Sequence, residues 1–180
     1  MGRRIARVST TPGKTRALNV YQIDLGRGEW SVVPDDARRS SPPHRHDPRT
    51  TRHAFYLLDL PGYGYARASK ADRAAFGPLV RHAVGRPRLA GVVWLLDIRR
   101  EPSDDDRAMQ DLFAAAATNV LAAVTKSDKL PHGRRLAQAR ALVASLGLDA
   151  EQVVVTSART GDGIPDLRQA VAGLLEGTKR

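Results

Sequence analysis

What most constrains the fold is an alternation between two kinds of segment. Apolar runs with strand-like composition occupy 53–60 (HAFYLLDL), 89–98 (LAGVVWLLDI), 119–126 (NVLAAVTK) and 152–158 (QVVVTSA). A looser alternation of β formers precedes them at 17–24 (ALNVYQID). Near-continuous apolar runs of this length read as strands covered on both faces. Between and after them, 69–84, 104–118, 133–147 and 164–177 carry apolar residues at helical spacing. Ser69 and Ser103 stand at capping positions, and Ile164-Pro165 puts a proline in a first turn. This alternation predicts an α/β fold: a mostly parallel sheet flanked by helices, with ligands taken at the carboxyl ends of its strands.

A chain of 180 residues suits one domain over 1–180 and can bury a proper core. One connection is out of character. Residues 26–52 hold four prolines, repeated arginine and little to bury, which predicts a basic, disordered surface insertion. His44, His46 and nearby His53 invite a metal reading, but no acidic or cysteine partner stands at ligand spacing. Cysteine is absent altogether, excluding disulfides and thiolate metal sites. No apolar run approaches the roughly 18 to 20 residues of a membrane span, so a soluble, cytoplasmic protein without a membrane partner is expected. The formal charge of +10 favours polyanionic partners, nucleic acid or a ribonucleoprotein, although an arginine-rich genome could write the same excess.

Three short patterns sit at successive strand ends. Asp59-Leu60-Pro61-Gly62 fits D-x-x-G, in which a carboxylate can hold a water of Mg²⁺ and a glycine lets a backbone N–H approach a terminal phosphate; a strand ending this way is also an ordinary turn. Thr125-Lys126-Ser127-Asp128 resembles the guanine-reading T-K-x-D signature of GTPases. There Asp128 can accept from the N1–H and the 2-amino group of guanine, and Lys126 can lay its stem along the purine face. Ser157-Ala158, after Thr156, stands where a backbone N–H could meet guanine O6. The acids of Ser103–Arg107 (SDDDR) read instead as complements to a helix dipole.

With "TTPGKT", "LLDLPGYGYA", "VTKSDKL" and "SARTGDG", the chain resembles the ribosome-biogenesis GTP-binding proteins of the EngB (YihA/YsxC) type, among the translation-factor class of P-loop GTPases, from about Arg4 to Leu175. The resemblance implies a P-loop GTPase-like (Ras-like) fold and a monomer that binds GTP with Mg²⁺. It also implies assistance to large-subunit or rRNA assembly and a link to cell division and septation. It puts Gly13, Lys14 and Thr15 in the first switch loop, Thr15 on Mg²⁺ and the terminal phosphate. Asp59 (through water to Mg²⁺), Leu60, Pro61, Gly62, Thr125, Lys126, Ser127, Asp128, Thr156, Ser157 and Ala158 fall on the GTP. No residue is assigned a catalytic role: Tyr63 stands after the D-x-x-G glycine where some GTPases carry a water-orienting glutamine, and an aromatic ring cannot do that work. Arg16 departs from the glutamine common after that threonine.

Gly13-Lys14-Thr15 is not itself a Walker A loop, because Val8 stands where G-x-x-x-x-G-K-[ST] requires glycine and the residues beyond Thr15 alternate as a strand. No other copy occurs in the 180 residues. The resembled fold therefore lacks its first strand, phosphate loop and first helix here, and the expectation is that the reading frame starts further upstream. The strand in question would lie between the 53–60 and 89–98 strands. As written, the chain is expected to hydrolyse GTP poorly or not at all. The alternative is a nucleotide-independent ribosome- or RNA-binding pseudo-GTPase.

Overall fold

The computed structural model describes residues 19–25, 30–33, 53–62 and 70–177. They fall into two units, Met1–Lys70 and Ala71–Arg180, each with its own sheet.

In the first unit, β1 (Asn19–Leu25) pairs antiparallel with β2 (Trp30–Val33) on one side and β3 (His53–Asp59) on the other. Register sets Ile23 opposite Phe55, with Trp30 two positions along on the same face. The Trp30 and Phe55 rings meet edge to face at 5.4 Å, pinning the outer strands together across buried Ile23. Two sequence expectations need correction here. Trp30–Val33 belongs to the ladder, not to a surface insertion, because one aromatic and two β-branched residues suffice for a short edge strand; the rest of 26–52, with His44 and His46, lies outside the described residues. The 53–60 run is not covered on both faces either: Tyr56 and Leu57, neighbours pointing to opposite sides, are 61% and 42% exposed.

The second unit is an α/β layer structure. Strands β4 (Val92–Asp97), β5 (Val120–Thr125) and β6 (Val153–Val155) form a parallel sheet with β5 central. Helices α1 (Lys70–Val84), α2 (Asp104–Ala115), α3 (His132–Ser145) and α4 (Ile164–Gly177) connect or follow the strands. The central strand is buried continuously from Leu121 to Val124, as its unbroken apolar run requires. β4 instead alternates, with Trp94 and Leu96 buried and Leu95 65% exposed, and among the described residues it pairs with β5 alone. Trp94 meets Phe113 of α2 edge to face at 5.6 Å, and Met109, Leu142, Val143 and Leu146 join them in the core. Ser103 caps α2 in a reciprocal box: its hydroxyl accepts from the Asp106 N–H, and the Asp106 carboxylate takes the Ser103 N–H at 2.8 Å. The acidic first turn is thus a cap.

Candidate functional site

The parallel strands deliver three chain reversals to one edge of the sheet. β5 ends at Thr125, and Lys126 turns the chain in the left-handed region (φ 61°) into a single 3-10 turn, Ser127–Lys129. Neighbouring strands hold that reversal on both sides. Toward β4, the Ile98 N–H donates to the Thr125 carbonyl at 3.1 Å and Thr125 Oγ1 donates to the Leu96 carbonyl at 3.0 Å. Toward β6, the buried Ser127 donates its N–H to the Thr156 carbonyl at 3.1 Å, while the Thr156 N–H returns to the Val124 carbonyl at 2.7 Å.

This scaffold fixes Asp128, whose side chain is only 5% exposed. Ser157, wholly buried, donates from Oγ to Asp128 Oδ1 at 2.8 Å and accepts the Thr160 N–H. The Ser157 hydroxyl, joined by the charges of Arg159 and Lys129, holds the Asp128 carboxyl below its ordinary value against the opposing effect of burial. Arg159 Nε stands 2.9 Å from Oδ2 and Lys129 Nζ 3.8 Å. Arg159 pairs with Oδ2 as an ion without a well-aligned hydrogen bond and Lys129 lies beyond hydrogen-bond reach, so this buried oxygen keeps a position for a further donor. Next to Ser157, Ala158 is exposed and its N–H donates to no acceptor among the described residues. An ionised acceptor and a free backbone donor on adjoining strand ends complement a planar group that offers N–H beside C=O.

The loop after β6 is wound tightly enough to keep that pair in place. The Ser157 N–H donates to the Asp162 carbonyl and the Gly161 N–H to the Ser157 carbonyl, both at 2.9 Å. Gly163 sits at φ 68°, and a Cβ there would fall 2.0 Å from the Val155 carbonyl oxygen, so only glycine fits. Arg135 of α3 braces the far side, donating to the Leu130 carbonyl at 3.0 Å and pairing with Asp162 at 3.3 Å.

Sequence reading misses Asp97, the last residue of β4. Its Oδ2 receives Lys126 Nζ at 2.8 Å and Arg99 Nη2 at 2.7 Å, while Oδ1 takes Arg99 Nε at 2.9 Å and the Arg99 N–H at 3.1 Å. The Arg99 guanidinium, then Lys126, hold its carboxyl far below the usual carboxylate range. A signal is present: β3 and β4 both end in Leu-Leu-Asp, and only the first of those acids opens a recognisable motif.

Thr125, Lys126, Ser127, Asp128, Thr156, Ser157 and Ala158 are therefore brought together, though in unequal parts. Ser127 and Thr156 are buried and spend their backbone groups on the scaffold; Ser157 orients Asp128; Lys126, Asp128 and Ala158 face outward or hold open valences. In the first unit Asp59 ends β3 opposite Asn19, with Leu60 and Pro61 half-buried and Gly62 exposed after it. Gly13, Lys14, Thr15, Arg16 and Tyr63 lie outside the described residues, as does Ser69. Among the described residues no three His, Asp or Glu side chains cluster to hold a metal, and no helix is long and apolar enough to cross a membrane.

No protein-family model matches the chain. It is 40% identical over 171 residues, 94% of its length, to a protein named probable GTP-binding protein EngB from Gemmatimonas aurantiaca, and spans 70% of that relative. A protein of the same name from Syntrophomonas wolfei is 36% identical over 172 residues, which cover 95% of this chain and 74% of the relative. Among solved structures, a crystal structure of a probable GTP-binding protein engB superposes with a TM-score of 0.57 at 15% identity, covering 68% of this chain and 77% of the other. The fold is thus the α/β one that the strand and helix alternation predicts, and the P-loop GTPase-like one that the resemblance implies.

Proposed function

The chain belongs to the EngB family of GTP-binding proteins, and from that premise we propose that it binds GTP, reading the base with Asp128 and Ala158, and assists assembly of the large ribosomal subunit in the cytoplasm. The observation that carries this reading is the buried, ionised Asp128, whose Oδ1 is fixed by Ser157 and whose Oδ2, paired in charge with Arg159, receives no well-aligned hydrogen bond. Guanine presents N1–H and its 2-amino group beside C6=O, which matches a carboxylate next to a free N–H. Adenine presents an acceptor at N1 and a donor at N6, so Asp128 would face a lone pair. Lys126, pulled toward β4 by Asp97, would lie along the purine with its stem.

Asp59 and Gly62 would serve the phosphate end, with Thr15 and, through water, Asp59 holding Mg²⁺. Single carboxylates suit this ion, which is commonly bound by one or two carboxylates together with substrate phosphates. When bound, Mg²⁺ neutralises charge on the terminal phosphates. Gly13 and Lys14 would belong to the switch loop of the same end. The charge of +10 supports rRNA or a ribosomal particle as the partner, and the family reading extends to cell division and septation.

Titration calorimetry with GTP and ATP tests the base reading. The two ligands share their phosphates, so the ratio of affinities isolates the base contact. A preference for GTP of at least about tenfold, abolished in Asp128→Ala, is expected from one lost charged hydrogen-bond set. Equal affinities would remove the reading and favour a nucleotide-independent RNA-binding protein. For the assembly role, depletion in cells should accumulate large-subunit precursors on sucrose gradients; an unchanged profile contradicts it.

A further inference from the structure

Opposite the site just described, at the amino ends of the parallel strands, two turns stand side by side. Helix α1 ends at Val84 and the chain reverses through Gly85–Leu89 before β4; α2 ends at Ala115 and reverses through Ala116–Asn119 before β5. The Val92 N–H donates to the Asn119 carbonyl at 2.8 Å, and Asn119 Nδ2 donates to the Ala90 carbonyl at 3.3 Å. Gly91 permits this approach, since a Cβ there would lie 2.8 Å from the Asn119 carbonyl oxygen. Each turn also holds a non-glycine residue in the left-handed region, Arg88 at φ 65° and Ala117 at φ 48°.

Between the turns lies a half-open surface hollow of about 320 Å³. Val84 and Leu89, both half-buried, contribute apolar atoms to a lining that is mostly polar; Arg86 and Arg88 bring positive charge to it, and Asn119 adds a polar edge. No carboxylate lines it. At the other end of the sheet, Arg99, Lys126, Lys129 and Arg159 are each matched to Asp97 or Asp128. Arg86 and Arg88 are exposed and have no carboxylate partner among the described residues. The last turn of α1 already carries Arg81 and His82 to offset its dipole, so the two arginines beyond it are not needed for that.

We propose that this hollow is a contact for single-stranded RNA, with backbone phosphates on Arg86 and Arg88. Guanidinium groups suit phosphate through paired N–H donors and also stack on unpaired bases, a second contact that the carboxylates of an acidic peptide do not offer. The inference rests on the RNA partner proposed above and gives that partner a contact remote from Asp128.

The test is fluorescence anisotropy of the full chain with a short labelled RNA of mixed sequence, at several salt concentrations. The Arg86→Gln/Arg88→Gln pair should weaken binding at least about tenfold and lower the salt slope by about 1.4, the release expected for two phosphates on a single strand. Arg134→Gln/Arg140→Gln, an equal loss of charge from exposed positions on α3, should change affinity less than about threefold. Arg86→Lys/Arg88→Lys keeps the charge and should keep the slope. Should the glutamine pair fail to fold by circular dichroism, Arg86→Glu alone is read in its place. Equal weakening by the two glutamine pairs, or polyglutamate competing as well as RNA at matched charge, overturns the site. Asp128→Ala should leave RNA binding intact, so failure of guanine reading and failure of this site are separately visible.

Discussion

Asp97 and Asp128 are acids whose charged forms the fold favours, one through Arg99 and Lys126, the other through Ser157, Arg159 and Lys129. Because both pKa values fall on folding, their contribution to stability is complete above the unfolded carboxyl value of about 3.9. It is lost as pH drops through the folded values. Asp97→Asn should therefore flatten the acid limb of a melting-temperature profile below about pH 4 and leave the neutral limb lowered; an unchanged acid limb would mean that the Arg99 and Lys126 contacts carry no net free energy. If Lys126 needs that contact to lie along the purine, the same variant weakens GTP and ATP together without changing their ratio. Asp97 escapes sequence reading because its nearby partner Arg99 marks no motif and its other partner, Lys126, is 29 residues away, a separation that no local pattern spans. Asp128 is legible because its neighbours on the chain spell a motif, yet the role of Ser157 as its hydrogen-bond donor is not, since that needs two strand ends in register.

Elements repeat this division between local and distant information. The box around Ser103 is readable from spacing, and Ser103→Ala should cost about 1 kcal/mol in denaturant unfolding while leaving nucleotide preference alone. Phe113→Ala removes the ring packed on Trp94 and should cost about 3–5 kcal/mol. The same measurement ranks the two, and a reversed order would show that α2 is held by its cap and not by its packing. Strand β5 declares itself through an unbroken apolar run because it is central, with a ladder on each edge. β2 hides, because four residues beside prolines and arginines cannot form a pattern, and only pairing with β1 makes them a strand. The equal-looking runs at 53–60 and 89–98 read as doubly covered, whereas Leu57 and Leu95 are exposed; the coverage of a strand is a property of its neighbours, which composition does not record.

On the scale of the whole molecule, apolar burial is unevenly shared. Of the described buried apolar side chains only Ile23 belongs to the first unit, and the remainder lie in Ala71–Arg180. The two tryptophans report on the units separately, Trp30 on the first and Trp94 on the second. With Trp30→Phe and Trp94→Phe each leaving one reporter, denaturant transitions tracked by fluorescence should separate, Trp30 responding first. Coincident midpoints would show that the units unfold as one. The alternation of strands and helices makes the second unit legible almost throughout, whereas the first depends on pairings between 19–33 and 53–59 that no spacing announces. In the second unit, β4 carries Leu95 65% exposed between buried Trp94 and Leu96, an apolar side chain through which neighbouring molecules can meet in a concentrated stock. Turbidity should then grow with concentration and be suppressed by Leu95→Lys, and an unchanged concentration dependence in that variant would show that Leu95 takes no part in self-association.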